Sequence, residues 1–564
     1  MTRILLTKVK GKPFVKIVCD NRVDTVIHCC RKLDKRQFVR PARGKPYWKA
    51  PATDNNIIKL SALKGKDVQR GVAFIRREQK IMELGVGSVP AHYSGIKMTK
   101  VKDIDGLKKK LYDYQVEGVS FIQSRDGNVL LADEMGLGKT LQVLAWLQLR
   151  PELRPVLIVC PSTLKLNWHR EILESTSIPE SEIRILEGRK PDRNLEGSVW
   201  IINYDVLQHW KPLFRLKKFR PLVMVCDECH NIKNRKTKRS KAANVIAKLA
   251  SHVIGVSGTP IINRPIEFFL MVHMIDPKLF PSYWHYVQRY CDVKINKYGG
   301  SWDTGGDANM QELHKVLVGS IMLRRLKADV LPQLPAKQRT VVPFTIRNKA
   351  EYNAALRDFK GWLRSKGKDE SKAIVLAQIT ALKKLAVEGK IKAVVEWVLD
   401  FLESGEKLVL FCSHHATVDV LKRELGRGVV AIDDRTPMKE RTKHIHAFQH
   451  TPFVRVLVGT LKTVSAGITL TAASNVAKVE LGWTPGEHDQ AEDRVHRIGQ
   501  QSGAVNIWYL VAVGTIEMDI LELIDKKREV LAAALDGKPV ADFNLMKQLL
   551  KRIGNPSQNK RLKV

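Results

Sequence analysis

The sequence of 564 residues lacks the features of a membrane or secreted protein. No apolar run approaches the ~18 residues of a membrane-spanning helix. The N-terminus has neither the long apolar core nor the small-residue cleavage site of a signal peptide. The eight cysteines lie mostly in apolar, strand-like runs, as reduced core thiols do. The placement of the cysteines and the lack of a signal peptide predict a reducing compartment, the cytosol or the nucleus.

Acidic residues are scarce beside basic ones. There are 58 Asp+Glu against 95 Lys+Arg, which gives a formal net charge of +37 and a pI near 9.9. Such an excess is typical of a chain with a polyanionic partner. Nucleic acid is favoured over a membrane surface because no basic amphipathic helix dominates, and a merely solvated basic surface is the alternative. Zinc is not favoured, since Cys226 and Cys229 form a C-x-x-C without a second pair at zinc spacing.

The stretch 128–140, NVLLADEMGLGKT, has the layout of a phosphate-binding loop. An apolar strand-like run leads into a loop with Gly136 and Gly138, and residues at helical spacing follow. Backbone N–H groups at such a helix start cradle phosphates. In this pattern Lys139 reaches the β- and γ-phosphates and the Thr140 hydroxyl is a ligand of Mg²⁺.

One position of this loop departs from the pattern G-x-x-x-x-G-K-[ST], which requires glycine at 133 where this chain has Asp133. A chance loop with a Gly-Lys-Thr tripeptide is therefore an alternative when this motif is taken alone. The other motifs of the chain decide between the two readings.

A second motif lies about 90 residues downstream, where the apolar run PLVMVCDECH ends in Asp227 and Glu228, with His230 close by. A strand-end Asp can hold Mg²⁺, and the adjacent Glu can orient and polarise an attacking water. A solvated turn is the alternative for an isolated Asp-Glu pair. Placed after a phosphate-binding loop, the pair indicates a Walker B box with Asp227 on the metal and Glu228 as general base.

A third motif, QAEDRVHRIGQ, covers residues 490–500. Arg494 and Arg497 are three residues apart and would share one face of a helix. Two arginines presented to a γ-phosphate act as arginine fingers, a device that accelerates hydrolysis roughly 10³- to 10⁵-fold. A charged surface helix is the alternative. These arginines lie late in the chain, in a second α/β unit separate from the phosphate-binding loop. Arginine fingers supplied by that unit would make hydrolysis depend on the closure of the two units.

The order of apolar runs predicts an α/β protein with parallel sheets. Short strands alternate with amphipathic helices from Leu111 to about 335, residues 345–405 are predicted to be helical, and a second strand–helix series without a phosphate-binding loop follows. We predict four parts: a basic N-terminal domain (1–105), a first lobe (106–338), a helical connection with a second lobe (339–540) and a basic tail (541–564).

The N-terminal part carries 24 basic residues against nine acidic ones. Tyr47 and Trp48 lie among Arg and Lys residues, a composition suited to base stacking plus phosphate contact. An ordinary β-hairpin with a solvated edge is the alternative. A helix is predicted around residues 72–84, and another amphipathic helix, FNLMKQLLKRI, in the tail.

Together the motifs resemble the Swi/Snf family of superfamily-two helicase-related ATPases, over residues 108–530. LYDYQVEGVSFI resembles the Q-motif region, VLIVCPSTLKLNWHREI motif Ia, and SGTPIINRPIEF motif III. KLVLFCSHH, VLVGTLKTVSAGITLTAAS and the arginine box resemble motifs IV, V and VI, and GSIMLRRLKADVLPQLPAK closes the first lobe as in this family. The resemblance implies two RecA-like parallel-sheet lobes with helical insertions, beside a small basic α+β N-terminal domain.

The family form of the loop, ADEMGLGKT, itself carries Asp at position 133, which removes the objection raised above. Three other departures are Tyr112 in place of a basic residue, Cys229 within DECH, and Ser465-Ala466-Gly467 where a Gly-Gly pair is typical. The last bears on coupling between ATP and DNA and not on ATP hydrolysis itself.

The resemblance also implies roles for further residues, carried over by motif position. Gln115 would read the adenine of ATP, and Ser257 and Thr259, with His230 and Gln490, would couple the nucleotide site to the DNA track. The resemblance implies nucleotide contacts at Gln115, Asp133, Gly136, Gly138, Lys139, Thr140, Arg494 and Arg497. It implies DNA contacts at Lys165, Ser413, His414 and Thr460.

Several stretches resemble most the annealing-helicase (HARP) branch of the family, among them LRRLKADVLPQLPAKQR and ELGWTPGEHDQAEDRVHRIGQ. The N-terminal pattern PFVKIVCDNRVDTVIHCCRKLD followed by PYWKAP is faintly similar to the HARP module. We therefore expect a monomeric, ATP- and Mg²⁺-dependent translocase on duplex or branched DNA, acting in fork regression, strand annealing or protein displacement.

Two other functions are weighed against this expectation. An RNA-directed superfamily-two helicase fits the basic charge, but LRRLKADVLPQLP and RVHRIGQ favour the DNA family. A scaffold with a dead nucleotide site predicts erosion at Lys139, Asp227, Glu228 or the arginines, and none is eroded. The compact chain is typical of a bacterial, archaeal or viral member, which would act in the cytoplasm with the nucleoid or in the host cytoplasm, whereas a eukaryotic member would be nuclear.

Overall fold

The computed structural model describes most of the chain from residue 101 to residue 535 and selected positions outside it. The described residues are 2–9, 12–19, 30, 33, 37–39, 47–51, 57, 60, 68–70, 75–76, 93, 98, 100–101, 103–258, 265–291, 294–295, 302–303, 309–365, 372–464, 468–497, 499–500, 502–535, 548–549 and 552–553. Among these residues, no helix combines the length and the apolar character that crossing a membrane requires.

The N-terminal part forms a five-stranded sheet in the order β3-β4-β2-β1-β5. Its strands are β1 (Thr2–Val9), β2 (Lys12–Cys19), β3 (Gln37–Val39), β4 (Tyr47–Pro51) and β5 (Val68–Arg70). All neighbours pair antiparallel except β1 and β5. Apolar side chains such as Ile4, Val15 and Ile17 are buried beneath it. Of the helix predicted over 72–84, only 75–76 are described, and they are helical.

The first lobe is built on a seven-stranded parallel sheet in the order β14-β6-β11-β10-β7-β9-β8. Its strands are β6 (Val129–Leu131), β7 (Val156–Cys160), β8 (Ile183–Ile185), β9 (Val199–Asn203), β10 (Val223–Asp227), β11 (His252–Val256) and β14 (Met322–Leu323). Most are buried along their whole length. Helices cover both faces of such a sheet, so its strands read as continuous apolar runs.

The first helix of the first lobe precedes these strands in the chain, and the other helices follow strands of the sheet. They are α1 (Asp113–Ser124), α2 (Lys139–Leu149), α3 (Lys165–Ser175), α4 (Leu207–Phe214), α5 (Lys238–Ala247), α6 (Phe269–Ile275), α7 (Tyr283–Tyr290), α8 (Met310–Ser320) and α9 (Lys327–Val330). A two-stranded ribbon, β12 (Lys294–Ile295) with β13 (Trp302–Asp303), lies between α7 and α8. Residues that end neighbouring parallel strands meet at one edge of the sheet, where ligands of α/β proteins bind.

The second lobe is built on a six-stranded parallel sheet in the order β15-β20-β19-β16-β18-β17. Its strands are β15 (Ala336–Phe344), β16 (Leu408–Cys412), β17 (Val429–Ile432), β18 (Val456–Thr460), β19 (Asn475–Lys478) and β20 (Ala504–Ala512). β15 spans the predicted boundary between residues 338 and 339, and the division into domains stays a prediction.

Two long helices lead from β15 into the rest of the second lobe, α10 (Lys349–Ser365) and α11 (Lys372–Leu402). The other helices are α12 (His415–Leu425), α13 (Met438–His450), α14 (Leu461–Val464), α15 (Pro485–Glu492) and α16 (Ile516–Leu535). The two-lobe α/β architecture predicted from the sequence is confirmed. In the tail, Leu549 and Ile553 are buried in the core of the second lobe.

Candidate active site

The phosphate-binding loop lies between β6 and α2, as the sequence predicts. Gly136 and Gly138 have φ angles of +86° and +69°, a conformation that favours glycine. A Cβ at Gly138 would lie 2.4 Å from Nε2 of Gln115. Lys139 and Thr140 form the first turn of α2. The helix N-terminus therefore presents backbone N–H groups and a hydroxyl to one concave loop, an arrangement that accommodates phosphate.

The Lys139 ammonium lies over this loop. Its Nζ donates hydrogen bonds to the backbone oxygens of Asp133 (2.8 Å) and Glu134 (3.0 Å). Burial lowers the pKa of Lys139, while the charges of Asp133, Glu228 and Asp227 oppose that change. The lysine thus lies within electrostatic range of the acidic pair at the end of β10.

Asp133, which replaces the usual glycine, is fully buried and bound by Arg325. Its carboxylate accepts hydrogen bonds from the Arg325 backbone N–H (3.0 Å), Nε (3.1 Å) and Nη2 (2.6 Å). Gln142 Nε2 donates a further bond of 3.3 Å. The carboxylate fixes the loop to the segment after β14, and its predicted contact with a nucleotide stays a prediction.

Asp227 ends β10 with both carboxylate oxygens hydrogen-bonded. Oδ2 accepts a 2.8 Å bond from the indole Nε1 of Trp168, and Oδ1 accepts a 2.9 Å bond from the Glu228 backbone N–H. Burial raises the pKa of Asp227, the neighbouring charge of Glu228 raises it further, and the Trp168 bond lowers it. An acid in this position is poised to bind a cation, which would stabilise its ionised form.

Glu228 follows in the left-handed conformation, with φ +46°. Such a conformation is uncommon for a residue other than glycine and occurs often at functional sites. The Ser257 hydroxyl donates a 3.4 Å bond to Glu228 Oε2, and His230 Nδ1 lies 3.3 Å from the same oxygen. His230 Nδ1 also lies 3.2 Å from Ser257 Oγ, and burial lowers the pKa of His230 to about 4. Thr259, predicted to act with them, lies outside the described residues.

Gln115 is buried beneath the loop. Its Nε2 donates a 3.3 Å bond to the Leu137 backbone oxygen, and its Oε1 accepts a 3.0 Å bond from the Tyr112 backbone N–H. The exposed Tyr112 ring stacks on Tyr114 at 5.9 Å between centroids. The predicted contact of Gln115 with adenine stays a prediction.

The two arginines of the second lobe lie in a turn and not on a helix, because α15 ends at Glu492. The Arg494 carbonyl accepts a 2.8 Å bond from the Leu470 backbone N–H, which joins the turn to the segment before β19. Arg494 donates to the Gln490 and Ile468 carbonyls at 3.1 and 3.3 Å, and Arg497 donates to Thr469 Oγ1 at 3.1 Å.

This arginine turn (residues 493–497) faces the phosphate-binding loop. Burial lowers the pKa of Arg494 to about 10, with a further decrease from the charge of Arg497, while Glu228 opposes it. A Cβ at Gly136 would lie 3.7 Å from Arg497 Cγ. The structure therefore brings the loop, the acidic pair and both arginines into one cleft between the lobes.

The predicted DNA contacts lie in two places. Lys165 begins α3 in the first lobe, where its Nζ contacts Glu187 Oε1 at 3.1 Å. Ser413, His414 and Thr460 line one cavity of about 400 Å³ in the second lobe, together with Lys383 and Trp483 among others. Ser413 and His414 follow β16 directly and Thr460 ends β18, and these two strands are neighbours in the sheet.

One buried acid, Glu480, binds the backbone at the rim of that cavity. Its carboxylate accepts bonds from the backbone N–H groups of Ser413 and His414, and His414 Nδ1 lies 3.0 Å from Oε2. The bond to Glu480 raises the pKa of His414. Thr460 Oγ1 donates to Thr463 Oγ1 at 3.0 Å. The backbone after β16 is thus held at the cavity rim.

Three further residues of the cleft, Arg325, Lys327 and Asp493, were not among those that the sequence motifs predict. Lys327 and Asp493 are buried and form an ion pair of 2.8 Å between the lobes. The stretch LRRLKADV offered a signal, since three basic residues close to a buried strand need acidic partners. Cys226 and Cys229 are free and buried, and no group of three metal-binding side chains occurs among the described residues.

Comparison with protein families gives two matches along the chain. Residues 114–390 match the SNF2-related domain, and residues 389–499 match the helicase conserved C-terminal domain. Together they cover the first lobe, the connecting helices and the arginine turn.

Two groups of relatives are similar over most of this chain. The Xenopus laevis SWI/SNF-related matrix-associated actin-dependent regulator of chromatin subfamily A-like protein 1 is 37% identical over 468 residues, 80% of this chain and 47% of the relative. The Mus musculus DNA annealing helicase and endonuclease ZRANB3 is 34% identical over 451 residues, 77% of this chain and 41% of the relative. The chain thus spans less than half the length of these two relatives.

Among solved structures, a Sulfolobus solfataricus SWI2/SNF2 ATPase core in complex with dsDNA is 26% identical. The match covers 83% of this chain and 100% of that chain, with a TM-score of 0.38.

Proposed function

The chain belongs to the SNF2 (Swi/Snf) family of helicase-related proteins, and from this premise we propose that it is a DNA-dependent ATPase that translocates on duplex DNA. The observation that carries the proposal is the single cleft that holds the phosphate-binding loop, the acidic pair and the two arginines. In a motor, the phosphate-binding groups and the arginines lie on two different lobes. Hydrolysis then depends on whether the two lobes are closed around the nucleotide.

The loop fits the phosphates of ATP. Gly136 and Gly138 have positive φ angles and add no side chain of their own to the loop, and Lys139 and Thr140 stand at the helix start. Bound Mg²⁺ would neutralise charge on the phosphates, and Thr140 and Asp227 are the residues that would hold it. Two protein ligands are enough, because Mg²⁺ keeps several waters and substrate oxygens.

Glu228 is proposed as the general base. Its raised pKa, caused by burial and opposed by the charges of Lys139 and Arg494, makes it a better proton acceptor than an exposed carboxylate. Arg494 and Arg497 are proposed to stabilise the charge that develops on the transferred phosphoryl group. This proposed role rests on where the two arginines lie, in a turn of the second lobe that faces the phosphate-binding loop of the first lobe.

DNA is proposed to lie across both lobes, near Lys165 of the first and near Ser413, His414 and Thr460 of the second. The net charge of +37 supports a polyanionic substrate. Contacts to phosphates carry little sequence information, so binding is expected to be independent of sequence and sensitive to salt. The motor is proposed to act as a monomer.

Remodelling of forks or annealing of strands is proposed as the outcome of translocation. The name of one relative, a DNA annealing helicase, supports this product for a chain 34% identical to it. The N-terminal sheet is proposed to guide branched DNA, as a HARP-like module would. Trp284 of α7 packs against the core of that sheet, which joins it to the first lobe. The protein is proposed to act in the compartment that holds the DNA. This compartment is the nucleus in a eukaryote, and the nucleoid or the host cytoplasm otherwise.

Measurement of ATP turnover by the full chain tests the proposal. Turnover is compared without nucleic acid and with single strands, blunt duplex, forked duplex and RNA, for wild type, Lys139→Ala and the exposed control Lys248→Ala. We expect duplex and fork DNA to stimulate wild type and the control, and Lys139→Ala to be silent. Stimulation by RNA alone would replace the DNA substrate by RNA, and absence of turnover under every condition would indicate a scaffold.

A further inference from the structure

A short segment after β14 (residues 325–327) is hydrogen-bonded to the phosphate-binding loop. Arg325 binds Asp133 through its side chain and its backbone. Two residues later, the Lys327 backbone N–H donates a 2.7 Å bond to Oε2 of Glu134. A Cβ at Gly136 would lie 3.1 Å from Cε of Lys327. The stem of Lys327 therefore packs directly on the loop that receives the phosphates.

The Lys327 side chain continues from this loop into the second lobe. Its Nζ donates to Oδ1 of Asp493 at 2.8 Å and to the His496 backbone oxygen at 3.0 Å, and it lies 3.3 Å from His496 Nδ1. The Lys327 side chain is 5% exposed and that of Asp493 is 2% exposed, so the pair is shielded from solvent. Both ends of the arginine turn are thus bound by one ammonium group.

Asp493 has a second partner that comes from its own lobe. Nζ of Lys337, on β15, donates to the same Oδ1 at 2.7 Å. Burial alone would raise the pKa of Asp493, but the charges of Lys337 and Lys327 outweigh it and hold the pKa well below its ordinary value. One carboxylate therefore has one lysine from each lobe.

We infer that Lys327 is a positioning residue for ATP hydrolysis: it fixes the turn that carries Arg494 and Arg497 against the phosphate-binding loop. This inference rests on the proposed function, because it assigns a role to the approach of the arginines. Lys327 touches the loop through Glu134 and Gly136 and the turn through Asp493 and His496. It acts on the reaction through the arginines.

The two lysines provide a matched pair of variants. Lys327→Met keeps the apolar stem and leaves Asp493 paired with Lys337. Lys337→Met leaves Asp493 paired with Lys327, so both variants retain a partner for the buried acid. Of these two variants, Lys327→Met alone removes an ion pair that joins the lobes.

Steady-state ATP turnover of the full chain with duplex DNA is the first measurement. A displaced catalytic group commonly costs about ten- to a hundredfold in rate. We expect Lys327→Met to lower kcat by about that factor with KM for ATP changed by less than about threefold. Lys337→Met should stay within about threefold of wild type, and Lys327→Arg should recover most of the activity, since the guanidinium keeps the charge and reach.

Hydrogen exchange of the backbone amides in residues 493–497 is the second measurement, made without nucleotide. We expect faster exchange in Lys327→Met than in Lys337→Met, with exchange in β18 and β19 unchanged in both. This readout does not need turnover, so it decides the role of Lys327 even if the wild type proves to hydrolyse no ATP, an outcome that would overturn only the proposed function.

The inference is overturned if the two methionine variants lose kcat equally and exchange equally fast at residues 493–497. Equal losses would mean that the lysines only stabilise the fold. A rise in KM for ATP at unchanged kcat in Lys327→Met would also overturn it, because the lysine would then serve nucleotide binding.

Discussion

The indole Nε1 of Trp168 donates a 2.8 Å hydrogen bond to Oδ2 of Asp227. Trp168 lies one turn into α3, the helix that begins with Lys165, and it is 1% exposed. The residue proposed to hold the metal is therefore bound by the helix proposed to contact DNA. If α3 moved when DNA binds, the hydrogen bond between Trp168 and Asp227 would transmit that movement to the proposed metal ligand.

Trp168→Phe is expected to move the acidic limb of the pH–rate profile toward higher pH. The indole bond lowers the pKa of Asp227, so its loss lets that pKa rise further above the ordinary carboxyl value. A bond to an ionised group contributes enough to shift the limb by about one pH unit. The profile of kcat/KM for ATP measures it.

Trp210→Phe is the matched control, because its indole donates to the Gly188 carbonyl at 3.1 Å and it is buried in the same lobe. It should lose comparable stability with no change of the profile. An identical limb in Trp168→Phe and wild type would contradict the role given to the indole.

Glu228→Gln is expected to stabilise the folded protein at alkaline pH while abolishing hydrolysis. Burial raises the pKa of Glu228 in the folded state, so the folded chain binds its proton more tightly than the unfolded chain. Stability then falls as pH rises from the unfolded pKa through the folded one, and glutamine removes that loss. Denaturant unfolding without nucleotide at pH 8 and pH 4 should give a gain at pH 8 that fades at pH 4. A gain that is equal at both values would point to packing.

Asp133→Gly, which restores the more general loop pattern, is expected to destabilise the first lobe. The Arg325 side chain is 11% exposed and would lose its buried partner. Removal of one member of a buried ion pair costs about 3–5 kcal/mol. Urea unfolding measures the loss, and the double variant Asp133→Asn with Arg325→Met should be less destabilised than the sum of its single variants. An unchanged midpoint in Asp133→Gly would show that the pair contributes nothing.

Ser257→Ala is expected to weaken the coupling between DNA and hydrolysis. Ser257 bonds Glu228 and lies beside His230, at the end of β11 next to β10. If the variant loses a coupling free energy of typical size, the ratio of DNA-stimulated to unstimulated turnover should fall about tenfold. Ser240→Ala, at a buried serine bonded to the Ile232 carbonyl, is the control and should keep the ratio. Equal ratios in the two variants would argue against Ser257 as the link.

The fold and the loop were predictable because their signals are local. Buried parallel strands such as β7 and β10 read as unbroken apolar runs, and Gly136 with Lys139 marks a candidate phosphate-binding loop that the other motifs support. Asp227 and Glu228 end a strand that the sequence already marks. Each motif is recognised from neighbouring residues, and the order of the motifs along the chain supports their assignment.

The contacts that join the motifs were not predictable in the same way. Asp133 and Arg325 are 192 residues apart, and Lys327 and Asp493 are 166 residues apart. No spacing rule selects those partners, because tertiary packing brings them together. The expectation that Arg494 and Arg497 share a helix face was wrong for a related reason: α15 ends at Glu492, and the Arg494 carbonyl is bonded by the backbone N–H of Leu470 from another loop.

Movement along duplex DNA driven by the two-lobed cleft can be measured as displacement of the third strand from a DNA triplex. We expect the full chain to release the third strand in an ATP-dependent manner, without separating the underlying duplex, and we expect Lys139→Ala and Arg497→Ala not to release it. Vigorous duplex-stimulated ATP hydrolysis by the wild type with no release of the third strand would contradict translocation.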